Sequence, residues 1–207
     1  MYKPIWVSSK LIFIHGISSS GKSTIGKLLE RVLEPSHWID QDTFYLSDKP
    51  KVSFDNEDAS LSACTQEEKE TYTGSNWDCI ESIDFDALRY SIIASLCRYE
   101  YVIVTGFALR QKELNLTADY SFVLSFDFGI GDDLKTFVTE NRKISKKITD
   151  TDKQEKDYWM VRKVVYPFYV ETLTKIQKST EICVYRNQER VDARIIVDDI
   201  LDYANKK

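Results

Sequence analysis

Apolar and polar positions along the chain fall into two alternating periods. Leu11-Ile12-Phe13-Ile14 is a short continuous apolar run, the pattern of a strand buried on both faces. Ile25, Leu28, Leu29, Val32 and Leu33 then recur at helical spacing, and Glu34-Pro35 stops that helix. His37-Trp38-Ile39-Asp40, apolar in its middle, predicts a second strand. From Leu46 to about Ser75 the chain is polar and acidic with no sustained period. That predicts a long surface loop with one helical turn around Glu67–Tyr72.

Asp84 stands where a helix cap is needed, ahead of an apolar stripe of Phe85, Leu88, Ile92, Ile93 and Leu96. Tyr101–Phe107 is β-branched and nearly continuous, hence a central parallel strand, and Tyr120–Phe126 is another. Asp132 to about Arg142 predicts a helix, followed by a highly charged stretch from Lys143 to Asp157. Tyr158 to about Lys178 reads as a helix kinked at Pro167, which cannot donate to the carbonyl four residues back. Glu181–Tyr185 is a last strand, and Val191, Ile195, Ile196 and Ile200 mark the buried face of a terminal helix. Strands alternating with helices predict an α/β fold, a doubly wound three-layer sandwich. A chain of 207 residues without repeats or an evident linker predicts one domain spanning 1–207.

The turn between the first strand and the first helix carries the chemistry. Gly16-Ile17-Ser18-Ser19-Ser20-Gly21-Lys22-Ser23 is G-x-x-x-x-G-K-[ST], a phosphate-binding loop or P-loop, with the required strand before it and helix after it. Such a turn aims backbone N–H groups and the positive end of a helix dipole at one point, which suits a nucleotide phosphate. The nucleotide-binding set is Gly16, Ser18, Ser19, Ser20, Gly21, Lys22, Ser23 and Thr24. Lys22 can reach the β- and γ-phosphates and Ser23 can hold Mg²⁺, with Asp40 as a further metal candidate.

Composition narrows the partners. With 28 basic and 33 acidic residues the net charge is -5, so no broad affinity for nucleic acid is expected. The apolar runs are far too short to span a bilayer, so no membrane association is expected. Met1-Tyr2-Lys3-Pro4-Ile5-Trp6 leads into the first strand without a cleavable signal pattern. Cys64, Cys79, Cys97 and Cys183 are scattered, with no C-x-x-C pair and two histidines, which argues against zinc and for reduced thiols in the cytoplasm.

Two further groups are candidates for acceptor chemistry. Asp42, in Gln41-Asp42-Thr43-Phe44-Tyr45, follows a strand at the sheet's carboxyl end, where ligands of open parallel sheets sit. It reads equally as a helix cap and as the base that takes a proton from an acceptor hydroxyl. Trp77 and Asp78 read either as a core tryptophan and a turn aspartate, or as a stacking platform beside a carboxylate for paired ribose hydroxyls.

GISSSGKS, DQDTFY, NWDCIESIDFDAL and YEYVIVTGF occur in the order and approximate spacing of the uridine kinase and nicotinamide riboside kinase group. The chain resembles that group over roughly Leu11 to Phe126, with a weaker echo in Tyr158–Tyr169. Asn76–Leu88 is most similar to the fungal nicotinamide riboside kinases. The resemblance implies a five-stranded parallel sheet with a lid, placed at about 143–157, and transfer of phosphate from ATP with Mg²⁺. The acceptor it implies is a nucleoside-like 5′-hydroxyl, nicotinamide riboside first and uridine or cytidine next. Asp42 would be the base, Asp78 would bind the 2′- and 3′-hydroxyls, and Trp77 would stack the base or nicotinamide. Phe44 and Tyr45 would complete the substrate site, and Arg142 would act in catalysis alongside Lys22.

Two positions depart from the group. Thr105 stands where it usually has Glu or Asp before Gly-Phe, a carboxylate that helps hold Mg²⁺. The lid's usual arginine run is reduced to Arg142, with Lys143, Lys146 and Lys147 either supporting it or forming a solvated face. Both changes touch charge-stabilising groups. They leave open a nucleotide-binding protein without turnover, and the fold equally admits a kinase of a non-nucleoside small alcohol.

Overall fold

Strand β1 (Lys10–Gly16) is the hub of the sheet, and the chain folds outward from it in both directions. The computed structural model describes residues 9–48, 65–71, 77, 79–107, 109–125, 140, 142–144, 147–177, 182–186 and 192–205. After β1 come α1 (Lys22–Val32), β2 (Ser36–Asp40), a 3-10 turn at Gln41–Phe44, α2 (Gln66–Thr71) and a second 3-10 turn at Ile80–Ser82. Next are α3 (Phe85–Leu96), β3 (Tyr101–Gly106), α4 (Gln111–Leu114) and β4 (Tyr120–Ser125). The chain continues with α5 (Thr151–Met160), a π-turn at Val161–Val165, α6 (Tyr166–Gln177), β5 (Ile182–Arg186) and α7 (Ala193–Asn205).

The strand order is β2-β3-β1-β4-β5, and every pairing is parallel. Successive side chains of β1 and β3 pack on opposite faces. Leu11 and Phe13 join Val102 and Val104 against Leu88 and Ile92 of α3 and Leu114 of α4. Ile12 and Ile14 join Ile103, Phe122 and Leu124 against Ile25 and Leu29 of α1 and Ile196, Val197 and Ile200 of α7. Helices thus cover both faces, which is why the strand sequences are continuous apolar runs rather than alternating ones. This is the expected doubly wound α/β sandwich. Chain direction across the sheet reverses at β1, and the crevice beyond the carboxyl ends of β1 and its neighbours is where ligands of such sheets bind.

Three local features differ from the expectation or add to it. The charged stretch after Lys143 is helical from Thr151, because Asp150 caps α5 by accepting from the Lys153 N–H at 3.0 Å. Pro167 produces a widened turn rather than a sharp kink. It has no N–H to offer, and just ahead of it the Tyr166 N–H reaches back five residues to the Val161 carbonyl. Helix α4 is four residues long, too short to display a period. The Asp84 cap is in place, accepting from the Ala87 N–H at 2.9 Å. Most of the helix expected over Asp132–Arg142 lies outside the described residues.

His15, at the end of β1, is buried with its ring edge-on to Phe13 at 5.9 Å between centroids. Neither ring nitrogen has a hydrogen-bond partner among the described residues, and burial pushes its pKa from 6.5 down to about 3. Below 6.5 the unfolded chain takes up a proton that the folded chain refuses. His15's contribution is therefore whole above that pH and is lost as pH falls toward 3. The expected slope is about 1.4 kcal/mol per pH unit. In urea unfolding between about pH 6 and pH 4, His15→Leu should flatten the acid loss of stability by roughly that slope. Parallel curves for the two proteins would show that His15 does not titrate on unfolding.

Candidate active site

The turn from β1 into α1 has the backbone of an anion cradle. Ser20 N–H closes the turn onto the Ile17 carbonyl at 3.1 Å, and α1 begins at Lys22 with the Ile25 N–H bonded to the Gly21 carbonyl. Gly21 has φ 90, a left-handed conformation that a side chain would strain. A Cβ on Gly16 would collide with Ser20 Oγ, so this glycine is needed for the loop to close. No acidic residue stands in the first turn of α1 itself, and the positive end of its dipole faces the loop. Ser20 Oγ is buried without a partner among the described residues, an orphan that a phosphate oxygen would satisfy.

The residues present also fit Mg²⁺. Ser23 Oγ donates to Asp40 Oδ2 at 3.1 Å, pairing a hydroxyl and a carboxylate at the helix N-terminus. Mg²⁺ is commonly held by one or two protein oxygens, with phosphates and waters completing its octahedron. Among the described residues no group of three or more His, Cys, Asp or Glu could hold a metal unaided.

The end of β2 is fixed by side chains that the sequence did not single out. Gln41 is fully buried, and its Oε1 accepts from the Phe107 N–H at 2.9 Å. It ties the turn after β2 to the end of β3, and a Cβ on Gly106 would strike it. Asp40 Oδ1 accepts from the Asp42 N–H at 3.2 Å, so Asp40 is the cap of this turn. Asp42 itself is exposed on the turn. Beyond it the chain is stitched to 80–84: the Leu46 N–H bonds the Ser82 carbonyl at 2.8 Å, and the Asp84 N–H bonds the Phe44 carbonyl at 2.9 Å. This brings the Tyr45 and Trp77 rings edge to face at 5.3 Å.

Thr105 is placed differently from the expectation that it borders the metal. It is fully buried, and its hydroxyl accepts from Trp38 Nε1 at 3.0 Å. Its methyl lies against Gly26 of α1, close enough that a Cβ on Gly26 would meet it at 2.6 Å. The lateral partner of Thr105 in the sheet is Asp40, so a carboxylate does stand at this level, one strand over. Thr105→Glu would bury a charge and displace Trp38, rather than restore a metal ligand. It should cost roughly 3 kcal/mol or more. A urea midpoint equal to that of wild type would show that the carboxylate finds water and that this packing is looser than described.

A cavity of about 680 Å³ brings together six of the predicted residues: Ser18, Lys22, Asp42, Tyr45, Trp77 and Arg142 line it. Phe107 and Val165 add apolar wall. Phe44 packs instead against the two core clusters on that side. Thr24 is exposed on the first turn of α1, and Ser19 holds a left-handed φ of 68 within the loop. Asp78, with Lys146, lies outside the described residues.

The far wall was not foreseen. Lys153, Lys156, Asp157 and Met160 of α5 line the cavity at spacing i, i+3, i+4 and i+7, so one face of this helix is turned to the site. The signal was that spacing, in a stretch read as charged and, by the resemblance, as the lid. Arg142 Nε donates to Asp157 Oδ2 at 2.9 Å and Nη2 to Oδ1 at 2.7 Å, a two-point ion pair with both side chains largely buried. Among the described residues, four cations, Lys22, Arg142, Lys153 and Lys156, therefore share the cavity with two carboxylates, Asp42 and Asp157.

No family model matches the chain. The nicotinamide riboside kinase of Eremothecium gossypii is 42% identical over 74 residues, which is 36% of this chain and 24% of that protein. The matched stretch thus spans about a quarter of the relative's length. Among solved structures, thymidylate kinase from Candida albicans is similar at TM-score 0.51 and 14% identity, covering 96% of this chain and 92% of that one. Deoxyadenosine kinase from M. mycoides with bound dATP is similar at TM-score 0.50 and 12% identity, covering 95% and 99%. The tunicamycin resistance protein of Deinococcus radiodurans is similar at TM-score 0.50 and 14% identity, covering 95% of each chain. The structural neighbours show that the chain shares their fold, and the partial relative supports the resemblance to the nicotinamide riboside kinase group.

Proposed function

We propose that this protein is an ATP- and Mg²⁺-dependent kinase of a nucleoside-like 5′-hydroxyl, with nicotinamide riboside the favoured acceptor and uridine or cytidine next. The observation that carries this reading is one cavity lined by Lys22 and Ser18 at a phosphate cradle, Asp42 beside it, and Tyr45 and Trp77 as an aromatic wall. A cradle alone would suit a binder. A cavity that adds a carboxylate and an aromatic wall to the cradle suits transfer to an acceptor.

In this reading Gly16, Ser18, Ser19, Ser20, Gly21 and Thr24 hold the phosphates through backbone and hydroxyl groups, and Lys22 bridges the β- and γ-phosphates. Ser23 and Asp40 would hold Mg²⁺ together with the nucleotide, and the ion would supply charge neutralisation at the phosphates. Asp42 accepts the proton of the acceptor hydroxyl as that oxygen bonds to the γ-phosphorus. The bond from phosphorus to the β–γ bridging oxygen breaks, and ADP leaves with the electron pair. Lys22, Arg142, Lys153 and Lys156 offset the charge that moves during transfer, which is where most of the rate arises in phosphoryl transfer. Trp77 and Tyr45 receive the flat ring, Asp78 takes the ribose diol, and Phe44 braces this side. The whole chain acts as one domain, with the segment at about 143–157 as lid. Cys79 and Cys97 form no disulfide among the described residues, which fits a cytoplasmic setting, and no helix among those residues is long and apolar enough to cross a membrane.

The test is an acceptor panel followed by ADP release, with nicotinamide riboside, uridine, cytidine, free ribose, and aminoglycoside- and phenicol-type alcohols. Ribosides should rank first, with nicotinamide riboside at the top. Preference for a non-riboside alcohol would move the protein to another acceptor class on the same fold.

A further inference from the structure

We propose that Asp157 is a positioning residue that sets the direction of Arg142 toward the terminal phosphate of the bound nucleotide. This rests on the kinase reading only in taking the cavity to hold nucleotide phosphates beside Lys22.

Arg142 has four side-chain torsions and a charge that water would welcome, yet its side chain is 8% exposed and lines the cavity. Its guanidinium is paired with Asp157, 13% exposed, on the cavity-facing stripe of α5. Three contacts join them: Nε to Oδ2 at 2.9 Å, Nε to Oδ1 at 3.2 Å and Nη2 to Oδ1 at 2.7 Å. Two-point contact between a planar fork and a carboxylate fixes the guanidinium plane as well as its distance.

A buried ion pair is a poor source of net stability, since desolvation offsets its attraction. Its effect here is on geometry and local charge. Lys22, Lys153 and Lys156 share the cavity, and a fourth cation would be driven out toward solvent without a carboxylate beside it. Asp157 is placed to supply that carboxylate from the lid helix, while Asp42, the other cavity-lining carboxylate among the described residues, stands on the acceptor side with Tyr45. Helix α5 carries its own Asp150 cap and buries Trp159. Arg142 is therefore referenced to α5 rather than to its own rotamers alone.

The experiment compares MgATP and MgADP affinities by calorimetry in wild type, Arg142→Ala, Asp157→Asn, Asp157→Glu and the Arg142→Ala/Asp157→Asn double variant. The ratio of the two affinities reports contacts to the terminal phosphate and does not require turnover, so it is readable even if the protein proves to be a binder. Arg142→Ala should lower the preference for ATP about tenfold, and Asp157→Asn should lower it several-fold. Asp157→Asn should add less than about twofold in the Arg142→Ala background, since it acts through Arg142. Asp157→Glu, which keeps the charge, should recover part of the preference and carries the test if the Asn variant fails to fold. An unchanged ratio in Asp157→Asn, equal losses for ATP and ADP, or a full loss that persists without Arg142 would each overturn the proposal. Absence of ADP release by the wild type across the acceptor panel, with the ratio still responding as described, would sink the kinase reading and leave this one standing.

Discussion

Asp42→Asn is expected to retain MgATP binding within about twofold while turnover falls by roughly 10²–10⁴-fold, the range for loss of a general base. The two side chains have nearly the same shape, so the turn at Gln41–Phe44 should survive. That turn is held by the Asp40 carboxylate on the Asp42 N–H and by Gln41 on the Phe107 N–H, and neither bond uses the Asp42 side chain. What the substitution removes is a proton acceptor lining the cavity beside the phosphate cradle. Turnover within a factor of two of wild type would show that the acceptor hydroxyl loses its proton elsewhere and that Asp42 is an exposed turn residue.

Lys22→Ala should produce the other large effect, a fall of at least about tenfold in MgATP affinity, since charge-assisted bonds to phosphate are among the strong ones. Lys22 is the first residue of α1 and is mostly buried, with its side chain lining the cavity. Alanine is the best helix former, so α1 should persist and the loss should be read as lost charge rather than lost structure. Calorimetry on the folded variant checks this, with circular dichroism confirming helicity. An unchanged titration would mean that the turn is a glycine-rich connection and not a nucleotide site.

How much of this was legible in the sequence depended on whether the information was contiguous. The phosphate cradle could be read directly because its function requires glycines, lysine and serine in fixed order between a strand and a helix. The central strands were legible because burial on both faces makes Leu11–Ile14 and Val102–Val104 continuous apolar runs. The cavity wall of α5 was not. Its site-facing residues are mostly charged, so no apolar stripe marks the helix, and the sequence shows Lys153, Lys156 and Asp157 only as part of a charged stretch within the expected lid.

Direction within the sheet was equally hidden. Whether Thr105 faces the metal or the middle of α1 depends on where it stands relative to Trp38 and Gly26, which are distant in sequence and adjacent only in the fold. Gln41 carried no signal either, since a neutral amide becomes a structural tie only when a buried N–H is left facing it, here that of Phe107. Pro167 was read as a kink, yet its cost is absorbed by one widened turn in which the Tyr166 N–H reaches the Val161 carbonyl.

The central claim is that a phosphoryl group moves from a nucleotide at the Lys22 cradle to a riboside hydroxyl at Asp42. It is tested most directly by mass spectrometry of the products after incubation with MgATP and nicotinamide riboside, with uridine and cytidine in parallel. The account predicts a riboside 5′-monophosphate and ADP in equal amounts from the wild type, and neither in appreciable yield from Asp42→Asn. A wild type that binds MgATP yet forms no monophosphate from any riboside would contradict it.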